Sequence, residues 1–267
     1  MRRRIDAVPS LRKGWNIQTR VIGALMIREL TTRFGRENIG FLWVMVEPLL
    51  FAVLVGLLWR AMKGPLEYGV DIIAFVVTGY IPLVFFRSSV SRAVSSFTAN
   101  GSLMYHRQIK VLDLILVRFL IELIGHMMAY LVIALALGAF GLFPRPHDLG
   151  FLLLGWAYYG LFTFAITLVI APLSEMSDVL EKVIPVTTYL MVPFSGAFYL
   201  VSALYPDAAA VVLYSPPVHG MEMMRYGVFG PSIDPRYDYL YPLQFSLPCI
   251  TLGLLLCRLV RRRLVVE

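Results

Sequence analysis

Arg118, Glu122 and His126 stand at i, i+4 and i+8 inside otherwise apolar sequence. On a helix that spacing puts all three on one face, with Arg118 and Glu122 within reach of each other for an ion pair. A second carboxylate, Glu47, precedes Pro48 in another apolar run, where it must face protein or water rather than lipid. Two readings of such residues stay open. They form a structural ion pair in the headgroup layer, or they turn a polar face to a bundle interior, where intramembrane charge has a functional role. In an enzyme, Glu47, Glu122 or His126 would serve as a base. The familiar catalytic and phosphate-binding signatures are absent: there is no G-x-x-x-x-G-K-[ST], no H-E-x-x-H, no G-x-S-x-G and no paired C-x-x-C. His106, His126, His147 and His219 fall in four separate segments, so no metal site is expected. Cys249 and Cys257 lie eight apart on one apolar run, about 12 Å along a helix, too far to bridge.

The elements that carry these residues follow from composition. Of 267 residues, 58% are hydrophobic and 15% charged, against roughly 45–50% and 25% in an ordinary soluble domain. That excludes disorder, a coiled coil and a soluble enzyme. A helix needs ~20 apolar residues to cross the hydrocarbon, and six stretches qualify: 39–59, 72–86, 123–143, 149–172, 183–201 and 240–257. The expected fold is an all-α integral membrane protein with six transmembrane helices, one domain over residues 1–267. The second stretch is short and contains Gly79 and Pro82, so it borrows flanking residues or is broken.

The 24 Lys and Arg residues set an orientation. With the N-terminus inside, eighteen fall in cytoplasmic segments and five outside, which predicts cytoplasmic N- and C-termini. The same distribution beside apolar runs explains the net charge of +7 without nucleic acid. No apolar stretch follows Arg2-Arg3-Arg4 before Arg12-Lys13, so no cleaved signal is expected.

Two segments between spans are informative. Residues 15–36 place Trp15, Ile22, Leu25 and Met26 on one side of a helical wheel and Ile27, Leu30 and Phe34 on another, with Arg20, Arg28, Arg33 and Arg36 alongside. This predicts an amphipathic interface helix with its arginines toward lipid phosphate or a partner. On the outer side, Pro216-Pro217 splits two apolar pieces too short to cross, which reads as a re-entrant helical hairpin over residues 205–229. Seven of the fourteen tyrosines lie between Tyr199 and Tyr241, an interfacial belt or in part a stacking surface at a pore mouth.

Ile27-Arg28-Glu29-Leu30, Thr32-Arg33-Phe34-Gly35, Gly40-Phe41-Leu42-Trp43 and Glu47-Pro48-Leu49 together resemble the N-terminal signature of ABC-2 type exporter permeases of the KpsM/Wzm kind. Pro82-Leu83-Val84-Phe85-Phe86-Arg87 with Ser91-Arg92, residues 107–113, and Ser215-Pro216-Pro217-Val218-His219-Gly220-Met221-Glu222-Met223-Met224-Arg225 extend the likeness over nearly the whole chain. It is closer to capsule exporters than to O-antigen or teichoic-acid exporters.

The resemblance implies a bacterial inner-membrane permease that forms a homodimer with two ATP-binding cassette subunits and exports a lipid-linked polysaccharide. ATP and Mg would sit on the partner, with no cofactor bound by this chain; whether a periplasmic adaptor docks stays open. The interface helix, through Arg28, Arg33 and Arg36, and a coupling loop at 95–107, through Leu103, Met104 and Tyr105, would contact the ATPase. Along the dimer axis Arg87 and Arg92 are expected near the cytoplasmic end of the glycan path. Tyr189, Phe194, Phe198 and Tyr199 would form its wall and Tyr226 would stand near its exit, since aromatic faces contact sugar rings without demanding one register. The competing reading is a membrane-embedded transferase acting on a glycolipid.

Overall fold

A computed structural model describes residues 11–35, 39–94, 96–97 and 110–264 of the chain. Apart from one two-residue β-ladder, its regular structure is helical. The first helix, α1 (Leu11–Phe34), ends where Gly35 takes a φ of 72° and returns its N–H to the Thr31 carbonyl at 3.0 Å, a left-handed glycine stop. Its apolar side packs Leu25 against Leu114, Val117 and Ile121 rather than against lipid. Helix α2 (Ile39–Lys63) has 25 residues, about 37 Å at 1.5 Å per residue. A hairpin follows, β1 (Leu66–Glu67) against β2 (Val70–Asp71), in the register Leu66↔Asp71 and Glu67↔Val70. Its turn places Tyr68 and Gly69 at φ values of 53° and 80°, the two positive angles of a type I′ hairpin.

Asp71 then starts α3 (Ile72–Val94): its Oδ1 accepts the Ile73 N–H at 2.8 Å and the Ala74 N–H at 3.3 Å. The first two-thirds of α3, residues 72–86, carries no charge and is enclosed, and α2, α4 (Val111–Ala139), α5 (Leu149–Glu175) and α6 (Asp178–Leu190) pack about the helix. The short second stretch of the sequence thus borrows residues at its C-terminal end and stays helical through Pro82. Asp148 opens α5 by accepting the Gly150 N–H at 2.7 Å and the Phe151 N–H at 3.1 Å. Two shorter helices, α7 (Pro206–Leu213) and α8 (Pro216–Phe229), precede the last, α9 (Tyr241–Leu264).

Four of the described helices are long and apolar enough to cross a membrane: α3, α4, α5 and residues 241–261 of α9. The stretch 183–201 differs from its sequence reading as one continuous span. Helix α6 has 13 residues, about 20 Å, and gives way to a 3₁₀ turn at Val192–Phe194, an irregular stretch and a second 3₁₀ turn at Val201–Ala203. Pro193 removes a backbone donor and Gly196 sits at φ 75°, so the helical ladder cannot continue. Hydropathy registers the apolar side chains of this stretch but not the break in its backbone.

Helices α7 and α8 lie where the sequence put two short pieces, joined through Tyr214 and Ser215, and α8 is buried along most of its length. It packs directly on α5. A Cβ on Gly155 would stand 2.7 Å from the Gly220 carbonyl oxygen, and one on Gly220 would stand 2.9 Å from the Tyr159 nitrogen. Small residues here let two backbones meet, the usual device for helix association in lipid.

Candidate functional site

The buried face of α8 carries three polar residues at i, i+3 and i+6: His219, Glu222 and Arg225. Each holds backbone from outside the helix. Arg225 is fully buried; its Nη1 donates to the Gly196 carbonyl at 2.7 Å and to the Tyr199 carbonyl, and its Nη2 donates to the Ala197 carbonyl at 2.5 Å. The guanidinium lies 4.0 Å from the ring centre of Phe75. Glu222 Oε1 accepts the Val201 N–H at 3.3 Å and Oε2 the Arg236 N–H at 3.0 Å, while Oε1 stands 4.0 Å from Arg225 Nη1. His219 accepts the Asp238 N–H on Nδ1 at 2.8 Å, so Nε2 carries the proton given to the Leu213 carbonyl at 2.9 Å.

Buried backbone that leaves the helical ladder must find partners inside the protein. These three side chains supply them for the broken stretch after α6, the end of α7 and the approach to α9. Asp238 in turn caps α9, accepting the Tyr241 N–H at 3.1 Å and the Leu240 N–H at 2.6 Å, and those bonds hold its carboxyl below its ordinary value. Sequence reasoning brought His219, Glu222 and Arg225 together only as part of a family likeness. Their i, i+3, i+6 spacing in an apolar helix was the available signal for a shared structural role.

The residues expected along a glycan path fall into three groups. Arg87 lies 3.7 Å from the ring centre of Tyr189, a cation over an aromatic face, with Tyr189 60% exposed. Phe198 meets Trp59 at 5.8 Å and Tyr80 at 6.5 Å between ring centres, and Tyr80 stacks on Phe51 at 4.4 Å. Phe194 is exposed beside them in sequence, and Tyr199 anchors its hydroxyl on the Pro193 carbonyl at 2.8 Å. Trp59, Tyr80 and Phe51 thus join an aromatic group that sequence reasoning had confined to residues 189–199. Tyr226 makes the third group: its ring neighbours are Phe151 at 5.1 Å and His147 at 6.1 Å.

Arg92 sits apart from Arg87, its Nε 2.6 Å from Glu122 Oε1. Glu122 also pairs with Arg33. Arg118 meets Glu29 Oε1 at 3.1 Å, so the expected Arg118–Glu122 pair is replaced by partners from α1 and α3. His126 stays beside Glu122, its Nδ1 2.9 Å from the Glu122 carbonyl oxygen and 3.6 Å from Oε2. Arg28 lies exposed on α1. Arg36, Leu103, Met104, Tyr105 and the side chain of Glu47 lie outside the described residues, as does nearly all of 95–107. Cys249 and Cys257 are both free thiols, and no group of three His, Cys, Asp or Glu residues capable of holding a metal forms among the described residues.

The helix α3 enclosed by its neighbours and the braced break after α6 belong to an all-helical chain with four described helices long and apolar enough to cross a membrane. Residues 20–229 match the ABC-2 type transporter family, and the chain belongs to it. It is 39% identical over 238 residues to the capsule polysaccharide export inner-membrane protein CtrC of Neisseria meningitidis serogroup B, covering 89% of this chain and 90% of that protein. The corresponding protein BexB of Haemophilus influenzae is 36% identical over 242 residues, 91% of each chain. The polysialic acid transport protein KpsM of Escherichia coli is 25% identical over 248 residues, 92% of this chain and 96% of that one.

Proposed function

We propose that the chain is the permease subunit of an ATP-driven exporter that carries a lipid-linked capsular polysaccharide across the bacterial inner membrane. The observation that carries this reading is the 39% identity, over nine-tenths of both chains, with a capsule polysaccharide export inner-membrane protein. The relatives' names favour a capsular glycan over the O-antigen and teichoic-acid alternatives. Of the three bases open to the transferase reading, Glu122 is 1% exposed and held between Arg33 and Arg92.

In this account two copies pair about an axis, each with one ATP-binding cassette subunit that holds ATP and Mg. The chain crosses six times with both termini in the cytoplasm, α6 and the broken stretch after it making the fifth crossing. Residues 205–229 form a hairpin that dips in from the outer side. Helix α1, with Arg28, Arg33 and Arg36, and the segment 95–107, with Leu103, Met104 and Tyr105, dock on the ATPase. Arg87 and Tyr189 begin the glycan path, with Arg92 at its cytoplasmic mouth, Phe194, Phe198 and Tyr199 along its wall and Tyr226 near its exit. Stacked rings offer sugar faces broad contact, and the cations attract an acidic glycan or a phosphorylated anchor.

The test is to purify the chain from its own membranes with what travels beside it. A P-loop ATPase of ~25–30 kDa, the size of one domain, is the expected companion. A lone chain that transfers sugar to lipid without ATP would overturn the proposal.

A further inference from the structure

Glu122 gathers two cations that belong to two other helices, Arg33 of α1 and Arg92 of α3. Arg118, one turn before it on α4, repeats the arrangement. Its Nε meets Glu29 of α1 at 3.1 Å, while its Nη1 donates to the Arg92 carbonyl at 2.9 Å and to Ser96 Oγ at 3.4 Å. Near the start of α4, Gln18 donates to Asp113. Helix α1 and the cytoplasmic end of α3 are therefore fastened to α4 at successive levels, and Glu122, itself buried, is the one carboxylate of these that takes cations from both helices.

An apolar contact such as Leu25 against Val117 tolerates sliding by a fraction of a turn, whereas a carboxylate shared by two guanidinium groups fixes register, the best-attested use of buried charge. The segment between α3 and α4 leaves one of these helices and enters the other. Both elements assigned to ATPase docking are thus rooted in one three-helix unit. Five residues before Arg92 on α3 stands Arg87, the cation over Tyr189.

We propose that Glu122 is a positioning residue for transport: it locks α1 and the end of α3 to α4, so that a push from the ATPase moves the three as one body and reaches Arg87. This rests on the reading of α1 and 95–107 as docking elements. A displacement spreads in this way only through elements that keep their mutual register.

The test uses the complete transporter, chain plus ATPase, in inside-out membrane vesicles supplied with glycolipid extracted from the same cells. The readout is glycan taken up per ATP hydrolysed. A purely structural defect lowers both in step and leaves the ratio alone. Glu122→Gln is expected to lower the ratio at least tenfold, Glu122→Asp to recover part of it, and Arg33→Gln combined with Glu122→Gln to be no worse than Glu122→Gln alone. If Glu122→Gln does not assemble, Arg33→Gln carries the test, with the same loss expected. A ratio within twofold of the parent in whichever variant assembles, with the ATPase bound, overturns the inference and leaves the permease reading standing. A parent chain that binds no ATPase overturns both.

Discussion

At the scale of single residues, Arg225 shows why a full charge is kept inside a membrane protein. Its guanidinium satisfies three carbonyls of non-helical backbone at once. A lysine, with a compact ammonium instead of a planar fork, could not spread over all three. Arg225→Met leaves those carbonyls without their donor and Glu222 without its neighbouring cation. Each orphaned buried group costs about 1–3 kcal/mol, and a buried charge stripped of its partner costs ~3–5 kcal/mol. We expect Arg225→Met to abolish stable protein in detergent and Arg225→Lys to fall between it and the parent in thermal unfolding. Equal melting temperatures for Arg225→Met and the parent would remove the clamp from the account. The three polar residues of α4 were legible as one helix face, but their partners were not. A helical wheel sees only neighbours on its own helix, and Arg33, which pairs with Glu122, comes from 89 positions away.

At the scale of elements, the start of α2 and the bodies of α3, α4, α5 and α9 could be read from hydropathy, because length and apolarity decide which helices can cross. The stretch 183–201 could not be read as it folds. Pro193 and Gly196 break the ladder, and the remedy lies in α8, more than twenty residues on. The α5–α8 contact was likewise hidden, since glycines in an apolar helix read as poor helix formers until the facing backbone is seen. Gly155→Ala would force a Cβ into the Gly220 carbonyl, an overpacking that costs about 1–3 kcal/mol. Gly14→Ala on the exposed side of α1 meets nothing within 4 Å and should gain up to ~1 kcal/mol of helix propensity. Thermal unfolding of the two variants in the same detergent should move in opposite directions, and a neutral Gly155→Ala would mean that the two helices are not in close contact.

At the scale of the whole molecule, polar ties dominate two separate levels. One joins α1, α3 and α4 around Glu122; the other holds irregular backbone around α8. Between them stand Arg87 on Tyr189 and the group Phe51, Trp59, Tyr80 and Phe198. In the proposed reading a long glycan slides along this surface, so no single contact there holds it tightly. The sequence marked single arginines and aromatics for the proposed path. The meeting of Phe51, Trp59 and Tyr80 with Phe198 was not legible, because rings far apart in the chain meet only in the fold. The most direct measurement is uptake of the cells' own capsular glycolipid into inside-out vesicles holding the chain and its ATPase. Uptake should require ATP hydrolysis and fall at least severalfold for Arg87→Ala and for Phe198→Leu without loss of assembled protein. ATP-independent uptake, or uptake unchanged in both variants, would contradict the account.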